Sequence, residues 1–525
     1  MALPNTAALL ALGISLTVTY WVALIVQRLF YSRISHIPGP KLAAASTLYQ
    51  AYYDFFPHRG RFLWKCIDLH KKYGPIIRIG PDEVHVDDPS FYSEMYSSAT
   101  HRRNKSALWY WMDGTGEFGD LSAFMTMDHN LHRMRRSGLG TYFSKRMVNE
   151  LEPRIRDKVL LLRKRMLERA ATREPVDLKD AYGAMTLDVI SMYCFGQSIG
   201  SLDDAQLGKR WNDLMGSGVR LQPFLRSFPN IARLVLALPK QVTNLVPLYR
   251  EATDFIGTAA ALTRTAMDEA IHDTSKWPRL EEVPQTTVLH SIIQSDTLPE
   301  HEKTFRRLAA DAATMLAGGM DTTSRALSVT TYHLLKNEHM RKRVMQELRS
   351  IMPTPQSPLP RVVELEKLPY LTAAIYEGLR ISHGVAGRLV RIAPDEDLDY
   401  TSSDGKTYRI PRGATFSQSG YLIHTNETIY PNPDTFDPER FYKTDGGMTD
   451  AQRNLVSFGK GTRACPGINL AWAEMYLAVA AVFGSLSMAI DRTTDKDVMI
   501  DSEFFVGALP DGPGISIKVL GELKE

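Results

Sequence analysis

The stretch Phe458-Gly459-Lys460-Gly461-Thr462-Arg463-Ala464-Cys465-Pro466-Gly467 carries one of only three cysteines in the chain. Its glycines favour a turn in which backbone can be approached closely. An apolar run follows, with Ile468, Leu470, Ala471 and Trp472. Proline is favoured at the first position of a helix, and the residue before it is biased away from helix. Cys465 is therefore predicted just outside a helix N-terminus. Partial positive charge and free N–H groups gather there, and both favour thiolate over thiol. Gly467 and Ile468 keep N–H groups for the sulfur, whereas Pro466 has none.

The rest of the composition sets bounds. The 525 residues are 44% hydrophobic and 23% charged, which is globular rather than disordered or fibrous. A net charge of +3 leaves no global footprint for nucleic acid. Three cysteines, Cys66, Cys194 and Cys465, are too few and odd in number for a disulfide framework. A reducing compartment is expected for the folded part. Cys66 and Cys194 sit in apolar helical contexts and read as buried structural residues.

The N-terminus carries an uncharged apolar run over residues 7–26. That matches the roughly 20 residues a helix needs to span a bilayer. No small-residue cleavage site follows, and Arg28 and Arg33 do. A retained anchor with the bulk of the chain on the cytosolic side is predicted. The organisation expected is a short lumenal N-terminus (1–6), a transmembrane anchor (7–26), a basic and proline-rich hinge (27–45) and one catalytic domain (46–525). In the hinge, Ile37-Pro38-Gly39-Pro40-Lys41 reads as a stiff turn.

Within the domain, Ile76 to Ile79 and Val84 to Val86 flank a Gly80-Pro81 turn and predict a hairpin. Helical periodicity dominates from about Asp128 to Arg349, most clearly over Thr186 to Phe195 and Ala309 to Leu335. Short strands are expected around Arg388 to Ile392 and Thr407 to Phe416. The fold class is mainly α with a small β region. The sequons at Asn104 and Asn426 are expected to stay unmodified on a cytosolic domain.

The pattern Phe-x-x-Gly-x-Arg-x-Cys-x-Gly is complete over Phe458 to Gly467. With it the chain resembles the cytochrome P450 family. It is similar to fungal microsomal members, on the strength of Ile37 to Lys41 and Ile79-Gly80-Pro81-Asp82-Glu83-Val84-His85-Val86. Some of those, trichodiene oxygenase among them, oxidise sesquiterpenes. The resemblance implies haem b with Cys465 as axial thiolate and metal ligand, and a thiolate ligand favours O–O cleavage. It places Phe458, Gly459 and Gly467 around the sulfur and Arg463 on a haem propionate.

Other motifs gain meaning beside it. Glu377 and Arg380 are three apart on a helical stretch and can meet. With Arg440, in Pro438-Glu439-Arg440-Phe441, the resemblance makes them a structural network serving folding and haem retention. Ala317-Gly318-Gly319-Met320-Asp321-Thr322-Thr323 puts two costly glycines inside a helix beside an acid and hydroxyls. The resemblance makes Asp321 and Thr322 the catalytic pair that feeds protons to oxygen activation; the plainer reading is a kink with hydroxyls bonded back to carbonyls. The resemblance makes His132 and Arg136, four residues apart, propionate contacts; the plainer reading is a solvated basic face, to which Arg133 and Arg135 are assigned. Arg391, and Arg388 after it, would add a further propionate contact.

By the resemblance, the aromatic stretch Ala107 to Met127, the segment Leu207 to Ile256, His383 to Ala386 and Phe504 to Val506 would enclose the substrate, and their apolar character suggests a lipophilic guest. The function expected is a monooxygenase inserting one oxygen atom into a fungal secondary metabolite, of terpenoid or polyketide type. Electrons would come from NADPH through a separate NADPH-cytochrome reductase, and the location would be the endoplasmic reticulum membrane, in a single pass. The alternatives are a haem-thiolate isomerase or dehydratase, which acts on peroxides without NADPH, and a non-catalytic haem protein.

Overall fold

The computed structural model describes residues 6–55, 58–97, 100–106, 119–140, 142–272, 287–443, 447–512 and 514–524. They group into two compact units, Met1–Ser106 with Arg388–Gln418, and Ala107–Gly387 with Ser419–Glu525.

The first unit begins with the helix Thr6–Phe30. Over Ala8–Phe30 it is long and apolar enough to cross a membrane, with a mean hydropathy of 2.2 and none of it buried. It outlasts the expected span because Gln27 and Arg28 are good helix formers and Arg28 Nη1 donates to the Ala45 carbonyl at 2.8 Å. The proline-rich segment that follows is pinned to a hairpin. Arg78 N donates to Pro38 O at 2.7 Å, and a Cβ on Gly39 would lie 2.3 Å from the Arg78 carbonyl. Only glycine permits that approach. Arg33 adds an ion pair to Asp82 at 3.0 Å.

The hairpin is the one read from the sequence, Ile76–Gly80 antiparallel to Glu83–Val86. Thr415–Ser417 pairs parallel to its second strand and antiparallel to Arg391–Ile392, making four strands. Leu398–Thr401 and Thr407–Ile410 form a separate antiparallel pair. Every residue of the two hairpin strands is buried, so polar side chains there must find partners. Arg388 pairs with Glu83 at 2.6 Å and reaches Gln50, and His70 Nε2 meets His85 Nδ1 at 2.7 Å.

The second unit is helical around the helix Phe305–Lys336. Leu178–Phe195, Pro247–His272, Pro369–Ile381 and Ile468–Ser485 all pack on it. Ile190, Leu316, Met320, Leu327 and Leu477 belong to this core. Contacts on all sides explain why the helix is apolar over most of its length. The helix Ile468–Ser485 is also apolar enough to span a membrane, but 72% of it is buried, so it is a core helix. Ser516–Glu522 lies between Val176–Asp177 and Leu486–Ile490, antiparallel to both, and Ser502–Phe504 pairs with Val506–Ala508.

Candidate active site

The cysteine loop is closed by its own backbone. Cys465 N donates to the Phe458 carbonyl at 2.8 Å, and Gly459 and Gly461 take the left-handed φ values +67 and +73. The following helix starts at Ile468 with Gly467 as N-cap, two residues later than a proline in the first helical position requires. Pro466 therefore shapes the turn before the helix. The Gly467 N–H still reaches the sulfur, and a Cβ on Gly467 would stand 4.0 Å from Sγ.

One expectation about the sulfur is corrected. Burial pushes the Cys465 thiol above its ordinary value, and the Gly467 N–H and Arg136 guanidinium only partly offset it. The side chain is nevertheless exposed. A surface that is open yet desolvated lines an internal void rather than bulk solvent. A helix N-terminus alone does not make a thiolate there. A coordinated metal deprotonates a thiol outright.

Arg136 is on the helix His129–Gly140 and is half-buried. It has no ion pair among the described residues, while Cys465 favours its charge. His132 is buried on the same helix. Arg463 donates to three backbone carbonyls, Thr126 at 2.8 Å, Met127 at 2.9 Å and Asp128 at 3.3 Å. It thereby ties the cysteine loop to the segment entering that helix. Arg391 belongs to the first unit, where it is buried, donates to the Val390 carbonyl and lies 5.4 Å from the Tyr96 ring centre.

Arg133 is exposed as expected, but Arg135 is not part of a solvated face. It is buried and pairs with Glu302 at 2.7 Å. Glu302 also takes Arg307 at 3.0 Å, and Arg307 pairs with Asp311, whose Oδ1 accepts from Ala123 N at 2.7 Å. A cation can be buried where such a network satisfies it.

The glycine pair has two different faces. A Cβ on Gly319 would press on Ile190 at 3.0 Å, so this glycine serves helix packing. A Cβ on Gly318 would meet nothing within 4 Å. Thr322, half-buried, bonds back to the Gly318 carbonyl at 2.9 Å, one turn up that open face. Asp321 is buried and paired with Lys179 at 3.0 Å. Burial raises its carboxyl, but Lys179 and then Arg325 outweigh this and hold it below the usual carboxylate value. Thr323, next along, hydrogen-bonds the buried Glu474 on the cysteine helix. The acid–hydroxyl segment and the helix after Cys465 are thus stitched together. Burial drives the Glu474 carboxyl well above its ordinary range, and the Thr323 hydrogen bond only partly offsets it. Composition gave no reason to single out Glu474 or Arg325, although Glu474 is a lone charge in an apolar helical run.

Glu377 and Arg380 are fully buried and joined by two bonds of 2.7 Å. Arg440 stands 3.5 Å from the same carboxylate, and Asp437 N donates to it at 2.9 Å. Burial raises the Glu377 carboxyl, and Arg380 is the chief counterweight. Cys66 and Cys194 are buried.

Of the segments expected to enclose a guest, residues 107–118 lie outside the described residues. Phe124 and Phe505 approach to 6.0 Å between ring centres, and Val385 bridges Val506. Phe505 has φ +80. The sulfur in its void, the open Gly318 face and the half-buried Arg136 fit a haem group bound through Cys465.

These features define a haem-thiolate protein, and the comparisons name its class. The cytochrome P450 family model matches residues 52–515. The chain belongs to that family, and it is a monooxygenase acting on a small molecule. It is 57% identical to the cytochrome P450 monooxygenase ucsK of Acremonium sp, with both chains covered in full. The N-acetyltryptophan 6-hydroxylase ivoC of Emericella nidulans is 35% identical, over 96% of this chain and 95% of that protein. The conidiogenone synthase PchP450 of Penicillium rubens is 34% identical, over 94% and 96%.

Proposed function

We propose that this monooxygenase hydroxylates a lipophilic product of fungal secondary metabolism, of terpenoid or polyketide type. The observation that carries the reading is Cys465, held by its loop at the edge of a desolvated void. The aromatic pair Phe124 and Phe505 supports an apolar guest. The 6-hydroxylase among the relatives supports hydroxylation as the reaction.

Haem, when bound, supplies the activation of dioxygen. The protein's own residues do the rest. Cys465 would hold the haem iron through its sulfur, with Phe458, Gly459 and Gly467 around it. His132, Arg136 and Arg463 would complement the charge of the haem propionates, and Arg391 is a further candidate for that role. Thr322 holds a hydroxyl proton on the open face, and Asp321, paired with Lys179, would take up a proton from that side and pass it to the hydroxyl. Glu377, Arg380 and Arg440 hold the framework. NADPH is the electron source through a membrane-bound reductase. The helix Thr6–Phe30 holds the chain in the endoplasmic reticulum membrane, with the catalytic part cytosolic.

Cys465→Ser tests the ligand. The expected result is loss of the red-shifted Soret band in the reduced carbon monoxide complex; a variant that keeps it refutes the assignment. Deleting the gene and comparing metabolites is expected to reveal an accumulating lipophilic precursor one oxygen poorer than the product. A polar, water-soluble precursor would overturn the substrate class.

A further inference from the structure

Arg325 lies in the middle of the long helix, 2% exposed, one turn beyond Asp321. Its Nε and Nη1 have no hydrogen-bond partner among the described residues. A guanidinium cannot shed its proton to escape burial, and an unpaired buried charge is strongly unfavourable. Asp321 shows the matching defect. Its Oδ1 is taken by Lys179, and its Oδ2 has no partner among the described residues. Residues four apart share a helix face, so these orphaned atoms neighbour each other. Yet no ion pair joins them. Opposite charges one turn apart that do not touch leave a polar gap, the kind of place buried water occupies.

A route for that water lies on the same helix. Val329 and His333 follow Arg325 at steps of four, and both line a cavity of about 580 Å³. Its mouth carries the exposed Lys336, Glu338 and Asp495. His383 lines it too, 8% exposed, at φ +48, with Nδ1 unpartnered among the described residues. Arg325 is near enough to disfavour a proton on that ring. The next residue, Gly384, stands against Thr322, since a Cβ there would lie 3.7 Å from the threonine Cβ. The cavity therefore reaches His383, whose chain neighbour stands against Thr322 and whose ring feels Arg325.

We propose that Arg325 is a positioning residue that holds Asp321 Oδ2 through bridging water, and that the cavity along Val329, His333 and His383 is the inlet by which this water exchanges with solvent. The proposal rests on the reading of Asp321 and Thr322 as the proton-supplying pair.

The test uses the full-length, haem-loaded enzyme. A high-resolution structure should show ordered water within hydrogen-bond reach of both Arg325 and Asp321 Oδ2; a dry gap or a direct ion pair overturns the proposal. Arg325→Leu should still fold and load haem as the parent does, because Lys179 keeps its ion pair with Asp321. It should nevertheless divert severalfold more NADPH-derived electrons into hydrogen peroxide, and Arg325→Lys should restore coupling. Val329→Phe, which narrows the inlet and leaves Arg325 in place, should uncouple likewise. Arg325→Leu coupled like the parent, or unfolding well below it, refutes the proposal, the latter because the role is then structural. Asp321→Asn separates the two readings. If it is coupled like the parent, the reading of Asp321 fails. If it alone uncouples, only the role of Arg325 fails.

Discussion

Arg380→Met removes the central cation of the buried network. In the parent, Arg380 gives two bonds of 2.7 Å to Glu377, one of 2.8 Å to the His424 carbonyl and one of 3.2 Å to the Thr435 carbonyl. Methionine fills much of the volume and makes none of them. Arg440, at 3.5 Å, is then the nearest cation to the carboxylate. Removing one partner of a buried pair costs about 3–5 kcal/mol. The two abandoned carbonyls put this variant near the upper figure. A loss of about 5 kcal/mol lowers the folded-to-unfolded ratio by more than a thousandfold. It is comparable to the whole stability of a marginal domain, about 5–15 kcal/mol.

The loss should also depend on pH. Burial already pushes the Glu377 carboxyl up with Arg380 present, and without that counterweight it rises further. A carboxyl with a raised folded value contributes stability that is fully present below its unfolded value of about 4.3. That contribution is lost as pH rises through the folded value. The penalty of Arg380→Met should therefore grow from acid to neutral pH. Urea unfolding of the full chain in detergent micelles, followed by intrinsic fluorescence, reads both quantities, provided the slope m is unchanged. The double variant Glu377→Leu with Arg380→Met should regain stability, since no charge is left stranded. A penalty under about 1 kcal/mol, or one independent of pH, would refute the reasoning.

Three further outcomes follow from single contacts. Lys179→Met removes the first cation that holds Asp321 below its ordinary value and leaves burial dominant. In the parent this carboxyl contributes stability present above about 3.9 and lost as pH falls through its lower folded value; in the variant the sign reverses, and unfolding midpoints that stay parallel across pH would contradict it. Glu474→Gln keeps the shape of a neutral, Thr323-bonded group and should change stability by under about 1 kcal/mol at acid pH. The parent should then weaken with rising pH more steeply than the variant, because its carboxyl sits well above the ordinary range. Gly378→Ala puts a methyl 1.8 Å from Thr330 Oγ1, which is itself bonded to the Ala326 carbonyl. Overpacking of this kind costs about 1–3 kcal/mol, and an unchanged melting temperature would show that the two helices separate freely.

Local signals were enough for much of the architecture. Alternation around Gly80-Pro81 predicts the hairpin, and apolar periodicity predicts the long helix to within a few residues of Phe305–Lys336. The Glu377–Arg380 contact also follows from spacing within one helix. What could not be read depended on distant partners. Arg135 looks like one more surface cation until Glu302, 167 residues away, pairs with it. The rise of the Cys465 thiol reflects the void around it, which the loop motif does not encode. Lys179 was equally hidden, since its link to Asp321 joins two helices far apart in the chain.

The sheet of the first unit has a bearing on how the chain is made. Glu83–Val86 pairs on one side with its hairpin neighbour and on the other with Thr415–Ser417. About 330 residues separate the two partners of that parallel ladder. At a synthesis rate of about 5–20 residues per second, the strand waits on the order of half a minute with one edge unpaired. It does so beside a nascent helix long and apolar enough to cross a membrane, and unsatisfied strand edges invite foreign pairing. The burial of Glu83 by Arg388, itself delivered only with the late segment, makes that edge charged until its partner arrives. A charge that is neutralised in the finished enzyme thus doubles as a guard on the ribosome-bound intermediate.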